Sequence, residues 1–82
     1  MQITTFAAID ISTYDVTLEI FEISKKAGIH SIDTIRHRLK LGRDTYASGK
    51  IGPEMVEELC TILQDFVRIM NGYQVDASRV IA

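Results

Sequence analysis

The feature that most constrains this chain is a change of apolar period part-way along it. In the first half apolar and polar residues alternate: Thr17 and Glu19 separate Val16, Leu18 and Ile20, and Arg36, Arg38 and Lys40 separate Ile35, His37, Leu39 and Leu41. A strand turns successive side chains to opposite faces, so a period of two describes half-buried strands. From Pro53 onward the spacing becomes three and four, at Val56, Leu59, Cys60, Leu63, Phe66, Val67 and Met70, which describes one face of a helix. Strands followed by one helix predict a sheet with the helix laid over one of its faces.

The stretch between residues 3 and 11 is nearly continuously apolar at Phe6-Ala7-Ala8-Ile9, as expected of a central strand covered on both faces. Ser12-Thr13-Tyr14-Asp15 is a polar turn into the second strand. There Phe21 and Ile23 shift the alternating phase, predicting a bulge or the strand end. Residues 24–28, SKKAG, form a turn, the third strand begins its alternation at Thr34, and the glycine-rich 42–52 stretch is a loop. Pro53 suits the first helical position, with Glu54, Glu57 and Glu58 near the positive end of the dipole, and Asn71-Gly72 is the expected helix stop. Residues 79–82 begin a fourth strand, which a β-β-β-α-β order sets parallel to an earlier one. The far face of the sheet then asks for further chain or a second copy, so self-association of the isolated chain is expected.

With 82 residues the chain is one domain at most, and its formal net charge of −2 argues against a nucleic-acid or anionic-membrane binder driven by bulk electrostatics. One cysteine, Cys60, allows no internal disulfide and suits a reducing compartment. Its place on the apolar side of the predicted helix indicates a buried, inert thiol. No signal peptide and no apolar run of membrane-spanning length is present, so a cytoplasmic location is expected.

Several residues could carry chemistry. An aspartate at the end of an apolar strand, followed by hydroxyl side chains, can place a metal ion and bind phosphate; Asp10, Ser12 and Thr13 meet part of that requirement. No glycine lies between Asp10 and Asp15, however, and from these residues alone a plain hairpin is the simpler reading. The basic run Arg36 to Lys40 could attract a polyanion, but in an acidic chain without interleaved aromatics it reads first as a solvated strand face. His30 and His37 have no cysteine or second histidine at metal-ligand spacing, which gives no zinc site.

The order of these pieces resembles the beginning of the exopolyphosphatase and guanosine pentaphosphate phosphohydrolase family. FAAIDISTYDVTLEIFEI resembles its first hairpin and phosphate loop, RHRLKLGRDTYASGKIGPEMVEELCTILQDFVRIM its third strand and first long helix, and VDASRVIA the strand that follows. The resemblance implies an α/β fold, the first part of a ribonuclease-H-like, actin-like ATPase domain, over residues 1–82: three antiparallel strands, one long helix and the start of a fourth, parallel strand. It further implies a parent that releases terminal phosphate from polyphosphate or guanosine pentaphosphate with a divalent metal, magnesium being expected. Asp10 falls on the family's metal-associated aspartate, and Ser12, Thr13 and Tyr14 fall on its phosphate-binding loop. That loop usually reads Gly-Ser-Asn-Ser; here Ser12 replaces the glycine and Asp15 the last serine, adding a negative charge beside the phosphate. The family's catalytic glutamate, its REA arginine and its second phosphate loop would lie beyond Ala82, so the piece alone is expected to be inactive. A non-catalytic scaffold of the same fold, or another actin-like ATPase or sugar kinase, are the alternatives.

Overall fold

The computed structural model describes residues 3–12, 14–39 and 53–81. Strands β1 (Thr4–Ile11), β2 (Asp15–Ser24) and β3 (Gly28–Arg38) precede the helix α1 (Pro53–Gly72), and β4 (Ala77–Ile81) follows it. They form one sheet in the order β3-β2-β1-β4. β1 and β2 pair antiparallel from Thr4↔Ile23 to Ile11↔Val16, β2 and β3 are antiparallel, and β4 runs parallel to β1 with Phe6 beside Ala77 and Asp10 beside Ile81. The expected topology is the observed one. The expected loop at 42–52, and with it Lys40, Leu41, Thr13 and Ala82, lie outside the described residues.

Alternation decides the sheet's two faces. Ala7 and Ile9 of β1, Val16, Leu18 and Ile20 of β2, and Leu39 just past β3 are buried against Met55, Ile62 and Phe66 of α1. The His37 ring reaches this core from β3, 5.4 Å from the Phe66 ring and tilted by 54°. Phe6, Ala8, Thr17, Glu19 and Phe21 point to the other face, where they are only partly buried. β1 is thus covered on one face among the described residues, not on both as its apolar run predicts.

The structure corrects two local expectations. The bulge lies on β3: Ile20 pairs with Asp33 but Phe21 with Ser31, so Ile32 is the extra residue, while β2 stays in unbroken register with β1. β3 accordingly begins at Gly28, six residues before its regular alternation. Gly28 has φ 80°, a backbone conformation that glycine adopts without a Cβ penalty. It closes a loop in which the Ala27 N–H donates to Ser24 Oγ at 3.0 Å.

The second correction concerns the helix face. Met55, Ile62 and Phe66 are buried and Leu59, Leu63, Ile69 and Met70 partly so, whereas Val56 and Val67 are about half exposed and Cys60 is exposed. The stripe Val56, Cys60, Leu63, Val67 and Met70 runs beside the stripe Met55, Leu59, Ile62, Phe66 and Ile69, one residue round the helix, with the same spacing of four and three. Only the second can sit squarely on the sheet, so Cys60 is a surface thiol.

The helix stops where the sequence sets it, at Asn71-Gly72. α1 runs through Gly72, and the left-handed residue is Gln74, φ 56°. Val75 N–H donates to Met70 O and Gln74 N–H to Asn71 O, both at 3.1 Å. This pair of bonds is the Schellman arrangement, and the accompanying apolar contact is present, since Val75 and Met70 both pack on the core. Asp76 then fastens β4 to β1: its N–H donates to Thr5 O and its Oδ2 accepts from Thr5 N–H, both at 2.8 Å.

Candidate functional site

The β1–β2 connection is where the sequence places its candidate phosphate and metal residues. Antiparallel register carries the chain from Ile11 to Val16, and the Ser12 N–H donates to Asp15 O at 2.9 Å, which closes the turn. The Ser12 hydroxyl lies 2.6 Å from Asp15 Oδ1 and 3.0 Å from Asp15 O. A hydroxyl has one proton to give, and here it goes to Asp15. Tyr14 is exposed, and its carbonyl accepts from Leu39 N–H at 2.7 Å, so the end of β3 is pinned to the turn.

Asp10 ends up beside this turn on the sheet face away from α1. Its strand partners are Thr17 on β2 and Ile81 on β4. The side chain is exposed, and its carboxylate takes no hydrogen bond or ion pair from the described residues. Among those residues no group of three His, Cys, Asp or Glu gathers as a metal cage. Magnesium needs no such cage, because it keeps several waters and takes one or two carboxylates together with phosphate oxygens. A single unengaged carboxylate at a strand end fits that mode of binding.

The same face holds a feature that reading the turn by itself passes over. Thr17 pairs with Arg36 and Asp15 with Arg38, so strand register sets both arginines on the side of β3 that carries Asp10, Ser12 and Asp15, although the Arg38 side chain, at the strand's end, also borders α1. Arg36 Nε stands 3.8 Å from Asp15 Oδ2, a long ion pair at an exposed position. Asp15 is therefore held back by a hydroxyl on one side and a guanidinium on the other. The repulsion that a lone Asp15 would bring to a phosphate is offset by charges the sequence places more than twenty residues away. The signal was present in the RHR alternation, but only strand register shows which turn it serves.

No protein-family model and no curated protein matches the sequence. Solved structures do. A Ppx/GppA family member from Aquifex aeolicus superimposes with a TM-score of 0.85 at 24% identity, over 96% of this chain and 26% of that one. Its fold is that of the Ppx/GppA structures. An exopolyphosphatase from Cytophaga hutchinsonii gives a TM-score of 0.83 at 21% identity, over 94% of this chain and 24% of the other, and an exopolyphosphatase-like protein gives 0.79 at 22%, over 96% and 24%. The mixed four-stranded sheet with one helix is thus the expected partial actin-like ATPase architecture, and the chain spans about a quarter of the length of the solved chains it matches. No helix among the described residues is long and apolar enough to cross a membrane.

Proposed function

We propose that this chain is the N-terminal part of a Ppx/GppA-type phosphohydrolase, cytoplasmic, which releases terminal phosphate from polyphosphate or guanosine pentaphosphate with a divalent cation. The observation that carries the reading is the superposition on the Aquifex aeolicus protein over 96% of the chain at a TM-score of 0.85. In this reading the β1–β2 turn faces the phosphate chain, and Asp10 would hold the divalent cation, with magnesium expected. Such an ion supplies charge neutralisation at the transferred phosphoryl group. Ser12, Thr13 and Tyr14 border the phosphate, Ser12 through a hydroxyl that must first leave Asp15. The remaining catalytic groups belong to the other three-quarters of the longer proteins, so the 82-residue piece by itself releases no phosphate. Phe6, Phe21 and Ile23, partly exposed on the outer face, pack against further chain or, in isolation, a second copy.

The test is phosphate release by the longer protein that contains this chain, with magnesium and polyphosphate, in the Asp10→Asn and Ser12→Gly variants. Asp10→Asn should lower release by about a hundredfold, the scale of losing one preorganised electrostatic contact. Unchanged release in both variants removes the turn from catalysis. A second reading, a non-catalytic scaffold of the same fold, is favoured by one observation: the Ser12 proton is already committed to Asp15. An intact longer protein with no phosphate release from either substrate would establish it.

A further inference from the structure

We infer that Arg36 and Arg38 of β3 form a subsite for a chain of phosphates beside the β1–β2 turn, and that Asp15 occupies the place of the anion when none is bound. The identity of the anion rests on the phosphohydrolase reading; the site itself rests on geometry. The two arginines are two residues apart on one strand face, about 7 Å along the strand, so together they span neighbouring phosphoryl groups and not a single ion. Both are exposed, the Arg36 side chain to 70%, and apart from the Arg36–Asp15 pair neither has a partner among the described residues.

The Arg36–Asp15 contact is weak by construction. At 3.8 Å and at this exposure an ion pair adds little to stability. A guanidinium presents two parallel N–H groups to a phosphate, which carries more charge than one carboxylate and fits the fork better. Phosphate therefore displaces Asp15 from Arg36, while the Ser12 hydroxyl, 2.6 Å away, keeps the released carboxylate turned back toward the turn. Arg38 also borders a groove with His37 and with Glu54, Glu57 and Glu58 of α1, so part of its side chain lies beside acidic residues. The larger share of binding falls on Arg36. This assigns a ligand to the basic run that composition alone marks as a solvated face, and it makes the negative net charge of the chain irrelevant to binding, because the positive charge is local.

The experiment is titration calorimetry of the 82-residue chain with sodium tripolyphosphate at low ionic strength in metal-free buffer, with circular dichroism confirming that each variant keeps its fold. Arg36→Gln should weaken binding about tenfold, which corresponds to ~1.4 kcal/mol, and Arg38→Gln about threefold. Asp15→Asn should tighten it about threefold by removing the competitor, and Arg68→Gln, on the helix, should leave it unchanged. Affinity should fall steeply with added salt. Three results overturn the inference: no binding by the folded chain, Arg36→Gln indistinguishable from Arg68→Gln, or orthophosphate bound as tightly as tripolyphosphate. The measurement involves neither metal nor hydrolysis, so failure of the phosphohydrolase reading in the release assay leaves its outcome standing.

Discussion

Replacing Phe66 by alanine tests the arrangement that holds the β1–β2 turn in place. Phe66 is fully buried, the largest side chain in that state, with its ring against His37 of β3 and its neighbours Leu18 and Ile20 in the sheet. Truncating a buried phenylalanine costs about 3–5 kcal/mol, the sum of lost transfer energy and an unfilled cavity. A chain of this length has a total stability of roughly 4–12 kcal/mol at 0.05–0.15 kcal/mol per residue, so the substitution removes a large fraction of it. One position further round the helix, Val67 is 50% exposed. Val67→Ala there should change stability by no more than ~0.5 kcal/mol, with alanine's better helix propensity opposing the small loss of burial. Urea unfolding followed by far-ultraviolet circular dichroism reads both: at a slope of about 1 kcal/mol per molar, Phe66→Ala moves the midpoint down by about 3 M or leaves the chain unfolded. Ile62→Val, costing about 0.5–1.5 kcal/mol, reports on the same face in a variant that keeps its fold. If Phe66→Ala costs under 1 kcal/mol, or Val67→Ala costs more than Phe66→Ala, the helix sits on the sheet by its other stripe.

Three further outcomes follow from local geometry. Gln74 occupies the left-handed position of the helix cap, so Gln74→Gly should raise stability by about 0.5–1 kcal/mol in the same urea assay. The Tyr73 hydroxyl donates to Asp33 Oδ2 at 2.5 Å, and this bond, helped by desolvation and the carboxylate's charge, raises the phenol above its ordinary value of 10.0. The folded state thus holds the proton more tightly, its stabilisation is complete below pH ~10 and is lost as pH rises through the raised value; thermal melts of Tyr73→Phe should lack that alkaline decline. Cys60, being exposed, should react with a thiol reagent in the folded chain at the rate seen in urea, and protection by more than about tenfold would restore the buried thiol that the helix pattern predicts.

How much was legible beforehand depended on whether one period ruled a segment. β2 was readable because Val16, Leu18 and Ile20 alternate without interruption and pair in unbroken register with β1. β3 was readable only from Thr34 on. The extra residue at Ile32 exchanges the faces, so Ile29, Ile32 and Ile35 recur every third residue, a spacing that imitates a helix. The helix itself was plain, but its buried face was not: two apolar stripes of identical spacing stand one residue apart, and local pattern has no means of ranking them. Rank comes from the sheet, against which Phe66 is fully buried with its ring 5.4 Å from that of His37, while Val67 is left half exposed.

The turn shows the same limit on the side of function. Along the chain, Asp15 is a charge in the wrong place, next to Ser12 where a glycine would let backbone approach an anion, and by that measure the loop binds phosphate poorly. Across the sheet, Asp15 meets Arg36 and faces Arg38, and Asp10 is left exposed and unengaged two strands away, about 10 Å from Arg36 at the usual strand spacing. One side of the face therefore presents a carboxylate suited to a hydrated cation, and the other presents guanidinium groups suited to anionic oxygens. Under the proposed function, the turn's composition would move the burden of holding phosphate from backbone N–H groups to side chains on β3, and so the absence of a glycine does not by itself amount to the absence of a site.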